Sequence, residues 1–316
     1  MQNIESLRCV ACGGTPLARA DGSRLMCVSC GQSYGSFKGC PVLIRADNAL
    51  FPPSGYQDAD PEPDSPSERG ALRNLGIRLR RAIPGRSINL SRNRLFRRIA
   101  SEHGQKSLRV LVVGCGTARA ALETAFSTTQ FSFVHTDIDK AALADVMCDA
   151  HDLPFTDAAF DGVITTAVME HVLRPDTVAA EIVRVLAPGG FVYSEVPFLQ
   201  AVHEGAYDFT RFSLSGHRRL FERFEEIEGG MVAGPATALV WQLTELSRAM
   251  FSNPRLASAA VLSCRTLFFW IKYFDYLIAR NPRALDAASC TYFYGQLRAT
   301  PVDPSEIIRR YGHKSV

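Results

Sequence analysis

Between residues 108 and 197 the chain alternates short apolar runs with segments whose apolar residues recur at helical spacing. Val110–Val113 is a continuous apolar run that breaks at once into Gly114-Cys115-Gly116. It predicts a strand buried on both faces, followed by a tight turn. Phe131–Thr136 predicts a second strand ending on Asp137. A third short apolar stretch precedes Cys148, and Phe160 opens a fourth strand whose exit loop runs to His171. From Asp176 to Leu186, the apolar residues Val178, Ile182, Val183 and Leu186 fall at helical spacing and predict a helix. Ala187-Pro188-Gly189-Gly190 stops it, and Phe191–Val196 predicts a fifth strand. Strands alternating with helices predict an α/β fold.

The glycines let a ligand approach the backbone, so a cofactor is expected across the carboxyl end of the first strand. Asp137 lies 23 positions after Gly114, one strand–helix–strand step, and suits the two hydroxyls of a ribose. A dinucleotide fingerprint would need glycine at position 119, where this chain has Arg119. A nucleoside cofactor without a closely packed pyrophosphate fits better. Asp149 ends the third strand beside the same crevice and suits an adenine amino group.

Gly114-Cys-Gly116, Asp137-Ile138-Asp139, Asp149 with Leu153-Pro154-Phe155, Phe160-Asp161, Glu170-His171 and Leu186-Ala-Pro-Gly-Gly190 stand in order over residues 108–197. Together they resemble the class I S-adenosylmethionine-dependent methyltransferases, in the subgroup with the type 11 domain. The family's third glycine is replaced by Ala118. The resemblance implies a seven-stranded, doubly wound, Rossmann-like methyltransferase sheet over residues 106–300, with Phe224–Val232 as sixth strand and Tyr292–Arg298 as antiparallel seventh. It implies S-adenosyl-L-methionine as cofactor. Gly114 and Gly116 would line its methionine end, Asp137 with Ile138 its ribose, and Asp149 and Ala150 its adenine.

Methyl transfer needs an acceptor held in line and, for a hydroxyl or amide, a group to take its proton. In this fold such groups commonly come from the loop after the fifth strand, here Pro197–Phe212, which carries His203, Glu204, Tyr207, Asp208 and Arg211. It resembles the corresponding loop of bacterial relatives. His203 or Asp208 is the candidate general base; the alternative for Asp208 is a structural ion pair with Arg211. His171 is either catalytic or a brace for the loop after the fourth strand.

Cys9-Val-Ala-Cys12 and Cys27-Val-Ser-Cys30 are tandem C-x-x-C knuckles, each followed by glycine and separated by 14 residues. Four thiolates make a closed tetrahedral site, so the expected ion is a structural zinc rather than a redox pair. Such a site supplies ~10–16 kcal/mol to a module too small for its own core. With Gly31–Ile44, residues 1–50 resemble the Trm112-like zinc ribbon, which in its family often binds and stabilises a methyltransferase. Cys40 reads as a buried core thiol, and the remaining cysteines as reduced.

Residues 51–70 form a Pro-rich acidic linker, with five prolines and five acids from Phe51 to Glu68. Residues 71–105 form a basic helical lead-in. Ten arginines and no acid lie between Arg69 and Arg98. The whole chain is +3, and the remaining 25 Lys and Arg against 32 acids make everything else −7, so the positive charge is local. Ser91–His103 predicts a helix with Leu95, Phe96 and Ile99 inward and Arg92, Arg94, Arg97 and Arg98 around the rest. Those arginines suit RNA phosphates, an anionic membrane, or plain solvent with the acidic linker folded back on them. The insertion at about 236–285 predicts two helices, Thr237–Phe251 and Leu256–Ala279, apolar around much of their circumference and with clustered aromatics, the second interrupted by Arg265, Lys272 and Asp275. It fits an acceptor roof, a dimer face, an ordinary core helix or peripheral membrane contact. Residues 301–316 form a basic tail. With no amino-terminal apolar run and with several free cysteines, the expected compartment is the cytoplasm.

The expected activity is methyl transfer to a small-molecule, glycan or lipid-linked acceptor. RNA methylation through the ribbon and arginines is the alternative; a non-catalytic partner-binding scaffold is the third reading.

Overall fold

The computed structural model describes residues 6–15, 17–19, 24–56, 85–117 and 119–311. The linker over 57–70, the arginines between 69 and 81, Ala118 and the end of the tail lie outside them.

Seven strands form one sheet: β1 (Arg109–Val113), β2 (Ser132–Asp137), β3 (Val146–Met147), β4 (Phe160–Thr166), β5 (Leu186–Pro197), β6 (Phe224–Ala233) and β7 (Cys290–Leu297). Their spatial order is β6-β7-β5-β4-β1-β2-β3. The run from β3 to β5 is parallel, and β7 lies antiparallel to β5 and β6. The direction of winding reverses between β1 and β4, which opens a crevice at the carboxyl ends of those strands.

The helices are α1 (Arg92–His103), α2 (Arg119–Ala125), α3 (Pro175–Val185), α4 (Leu214–Leu220), α5 (Pro235–Ala249), α6 (Pro254–Phe268), α7 (Phe274–Ile278) and α8 (Pro304–Arg309). On one face of the sheet, Leu95, Phe96 and Ile99 of α1 pack with Val110, Ile164, Phe191 and Tyr193. On the other, Val178, Ile182 and Val185 of α3 pack with Leu111, Val163 and Val192. Cover on both faces explains why β1 and β4 read as unbroken apolar runs.

The cysteine module is built from Leu17–Arg19, Leu25–Cys27 and Ser33–Tyr34 in one small sheet, and Ser36–Phe37 with Cys40–Pro41 in another. Its Leu7, Val10, Leu17, Leu25, Tyr34 and Leu43 belong to the same apolar cluster as α3. Full burial of such side chains is worth ~1.5–3 kcal/mol each, so module and transferase sheet stabilise one another. Arg8 pairs with Asp152 at 2.5 Å, and Val42 bridges Met147 of β3. That bridge covers the open edge of the sheet. The Cys40 thiol is half-buried rather than fully enclosed and donates to the Ala144 carbonyl at 2.9 Å.

Three arginines of α1 turn onto the sheet. Arg92 pairs with Glu195, and Arg94 and Arg98 with Glu228, which also accepts from the Tyr292 hydroxyl at 2.6 Å. Arg97 donates to the Asn93 carbonyl of its own helix. Three of the four are thus occupied by carboxylates of this chain.

The insertion departs from the expected pair of helices. Residues 256–279 are α6, a 3-10 segment Phe269–Tyr273, and α7. The break brings Lys272 and Asp275 inward. The Lys272 ammonium donates to the Gly85 carbonyl, and Asp275 accepts three backbone N–H groups at the start of α5. A straight helix could not return Asp275 to that position. Leu246, Met250, Leu267, Trp270, Tyr276 and Leu277 remain exposed. No helix among the described residues is long and apolar enough to cross a membrane.

Candidate active site

The turn after β1 needs its glycines. Gly114 and Gly116 have φ of +69° and +51°, and a Cβ on Gly114 would fall 2.2 Å from Val168. Asp137, at the end of β2, accepts the Gly116 N–H at 2.7 Å and those of Ile138 and Asp139 at 2.7 and 2.9 Å. It therefore pins the turn while standing at the lip of the crevice. Asp139 accepts the Ala141 N–H at 3.0 Å and closes the turn that follows. Asp149 and Ala150 follow β3 and are half-buried. Burial pushes the Asp149 carboxyl up, but hydrogen bonds from His151 and Asn48 outweigh it and hold the group below the ordinary carboxylate range. Those contacts measure 2.6 Å to the His151 ring and 2.7 Å to the Asn48 amide.

Asn48 was not anticipated, nor were Phe51 and Tyr56. The chain leaving the cysteine module crosses the cofactor side of the sheet. Phe51 stacks on Tyr207, and the Tyr56 hydroxyl donates to the Ile138 carbonyl at 2.6 Å. The available signal was two aromatics in a stretch that otherwise reads as linker.

At the other end of the crevice the loops after β4 and β5 meet. The Glu170 carbonyl accepts the N–H groups of Phe209 and Thr210, which ties the two loops together. His171 and His203 face each other with their Nε2 atoms 3.0 Å apart. The His171 Nδ1 lies 2.8 Å from the Tyr207 carbonyl. Asp208 is in bidentate contact with Arg211, and its side chain is 1% exposed. It accepts the His203 backbone N–H at 2.9 Å and lies 3.4 Å from His203 Nδ1. Of the two expectations for Asp208, general base or ion pair with Arg211, the structure contains the ion pair, and the His203 N–H occupies the same carboxylate. Burial, and then the neighbouring His171, keep the His203 ring below the ordinary histidine range. Glu170 is fully buried and its carboxyl is pushed up to about 8 by desolvation.

Helix α5 stands over this end. The His203 and Trp241 rings are 6.5 Å apart between centroids. Trp241 is fixed by the Arg86 guanidinium 3.5 Å from its ring centroid and by a 2.9 Å bond to Ser87. Sequence reading did not single out Trp241, because its role depends on a contact with a residue 38 positions earlier.

The four cysteines form a compact cluster. Cys9 and Cys30 sulfurs are 3.7 Å apart, as are those of Cys12 and Cys27. A tetrahedral zinc–thiolate site with bonds of ~2.3 Å requires sulfur separations of about 3.8 Å, so the donor set fits a zinc ion. Gly13 and Gly31 adopt φ of +73° and +74° and return their N–H groups to the Cys9 and Cys27 carbonyls. The Tyr34 hydroxyl lies 2.9 Å from the Cys9 sulfur.

A family model described as a methyltransferase domain matches residues 111–194. A fatty-acid O-methyltransferase of Mycolicibacterium smegmatis is 27% identical over 165 residues, covering 48% of this chain and 54% of its own length. An O-methyltransferase of Aspergillus nomiae is 31% identical over 134 residues, covering 36% and 58%. The chain therefore spans a little over half the length of these relatives. Among solved structures, a phosphoethanolamine N-methyltransferase 2 of Haemonchus contortus bound to S-adenosylhomocysteine shows 17% identity and a TM-score of 0.44, covering 74% of this chain and 59% of that one. The matched segment begins inside β1 and ends inside β5, so it holds the glycine turn, Asp137, Asp149 and the Glu170-His171 loop. On this strand order residues 111–194 form a methyltransferase domain, and the chain is similar to the class I S-adenosylmethionine-dependent methyltransferases over that segment.

Proposed function

We propose that this chain moves the methyl group of S-adenosyl-L-methionine to an oxygen of a small-molecule, glycan or lipid-linked acceptor. The observation that carries the reading is the imidazole pair His171–His203, set 3.0 Å apart beside the crevice that the cofactor motifs line. When bound, the cofactor supplies a methyl group already activated by its sulfonium. Gly114 and Gly116 admit its methionine end, Asp137 with Ile138 takes the ribose, and Asp149 and Ala150 hold the adenine. The His171–His203 pair is the centre that draws the proton from the acceptor oxygen, and Asp208 with Arg211 holds His203 in place. Trp241 roofs this centre and excludes water. The names of the two curated relatives support an oxygen acceptor, and the exposed aromatics of the insertion support an apolar or lipid-linked one. The RNA alternative loses the support of Arg92, Arg94 and Arg98, which are paired within the chain. Cys9, Cys12, Cys27 and Cys30 hold a structural zinc in this proposal.

The test is methyl-labelled cofactor with purified protein and a host extract separated into RNA, protein, lipid and small-molecule fractions. Label in the lipid or small-molecule fraction supports the proposal, and label confined to RNA refutes it. His203→Ala is expected to bind cofactor normally while turnover falls by ~10²–10⁴-fold, the usual range for a lost acid–base group.

A further inference from the structure

We infer that Glu170, His171 and His203 form a second metal site, separate from the four cysteines, which takes a divalent transition-metal ion and leaves a coordination position toward the acceptor crevice. The argument starts from protons. A carbonyl oxygen only accepts, so the His171 Nδ1, 2.8 Å from the Tyr207 carbonyl, carries hydrogen. In the neutral ring that leaves a lone pair on Nε2. The His203 Nδ1 lies 3.4 Å from the Asp208 carboxylate without a hydrogen bond, and its Nε2 stands 3.0 Å from that of His171. Glu170 Oε1 lies 3.6 Å from His171 Nε2 and 3.8 Å from His203 Nε2. Neither Glu170 oxygen has a hydrogen-bond partner among the described residues, although the side chain is fully buried. Two imidazole nitrogens and one buried carboxyl oxygen thus converge within reach of a single shared cation.

The geometry matches a metal. Bonds of ~2.0–2.1 Å to nitrogen and oxygen in a tetrahedral site place donors about 3.3–3.4 Å apart, and the separations here bracket that value. Metal-binding imidazoles characteristically hand their other N–H to a carbonyl or a carboxylate, as His171 does to the Tyr207 carbonyl. The scaffold is also fixed, since backbone bonds from Phe209 and Thr210 to Glu170 join the two loops. Two imidazoles and one carboxylate suit zinc, cobalt or nickel, and three protein ligands leave a position for a reactant.

The role of the ion rests on the proposed function and refines it, the two imidazoles acting on the acceptor proton through the ion rather than as a free base. An acceptor hydroxyl at the open position is acidified. Its O–H bond breaks and the proton leaves to solvent. Its oxygen forms the new O–CH₃ bond as the C–S bond of the cofactor breaks, with that electron pair retained by sulfur.

The test uses the full chain as isolated, titrated with cobalt(II) and followed by absorbance. Thiolate-bound cobalt gives intense near-ultraviolet charge transfer, whereas a site of two imidazoles and a carboxylate gives only weak visible bands. One equivalent of the weakly absorbing species is expected. It should disappear in both His203→Gln and His171→Asn, with circular dichroism unchanged. Absence of this species in the wild type overturns the inference and makes the pair a proton-sharing base; so does its survival in both variants. Cofactor affinity, measured separately by calorimetry, reports on the methyltransferase reading, so the two can fail independently.

Discussion

The stability of the roof turns on Asp275. This residue is fully buried, and its carboxylate accepts the N–H groups of Gly234, Ala236 and Thr237 at 3.0, 2.8 and 3.0 Å. These are donors at the start of α5 that have no partner within the helix. Asp275→Ala strands all three. A buried donor left unsatisfied costs ~1–3 kcal/mol, giving about 3–9 kcal/mol for the set. Ala236 is only half-buried and can draw water toward the helix start, so the lower end, about 3–4 kcal/mol, is expected. At ~2–4 °C per kcal/mol, the melting temperature should fall by about 6–16 °C. Asp275→Asn keeps one acceptor oxygen but turns an NH₂ toward the remaining donors, and should fall between the two. The assay is built into the chain: its two tryptophans, Trp241 and Trp270, both lie in the insertion, so their fluorescence during urea titration reads this unit. Cofactor affinity should hold within a factor of about two, because the ends of β1 to β3 are untouched, while turnover falls as Trp241 loses its position. A loss below about 1 kcal/mol, or a cofactor affinity that drops in step with stability, would refute this account of how the roof is held.

Three further outcomes are expected. Asp137→Ala removes a charged acceptor for two ribose hydroxyls, each worth ~1.5–3 kcal/mol, so the cofactor Kd should rise ~10²–10⁴-fold by calorimetry; a rise under threefold argues against that role. His217 is buried between Ser194 and Thr291, and desolvation pushes its pKa down to about 3 against an ordinary value near 6.5. The unfolded chain therefore binds a proton that the native chain refuses. The stabilisation is complete above pH 6.5 and is lost as pH falls toward about 3, at up to ~1.4 kcal/mol per pH unit, and His217→Gln should flatten urea stability between pH 6.5 and 4. Cys12→Ser with Cys30→Ser should release one zinc per chain and, through the shared core around Leu7 and Leu25, lower the melting temperature of the whole protein by at least ~5 °C; an unchanged transition would mean that the module does not support the sheet.

The legible parts of the site share one property: each is carried by neighbours in the chain. Gly114 follows an apolar run, Asp137 follows the next one, and each pair of knuckle cysteines spans only four residues. The acceptor end was legible as a set of residue types but not as an arrangement. His203 and Asp208 read equally well as bases until the bidentate contact of Arg211 separated their roles. Glu170 gave no sign of its isolation, because burial without a hydrogen-bond partner is a property of packing. The break at Phe269–Tyr273 was hidden for the same reason, since its cause is the reach of Asp275 back to Gly234.

By itself the sequence determined the order of strands along the chain, the nucleoside character of the cofactor site and the pairing of four thiols, because local spacing decides which backbone can turn and which side chains share a face. Only the tertiary structure decided where the α1 arginines go, that the cysteine module shares the transferase core, that Asn48 and Tyr56 edge the cofactor crevice, and that two imidazoles meet over a buried carboxylate. The side-chain contacts among these join residues 32 to 134 positions apart, and chemistry at such separation is set by which surfaces the sheet brings together rather than by any pattern along the chain.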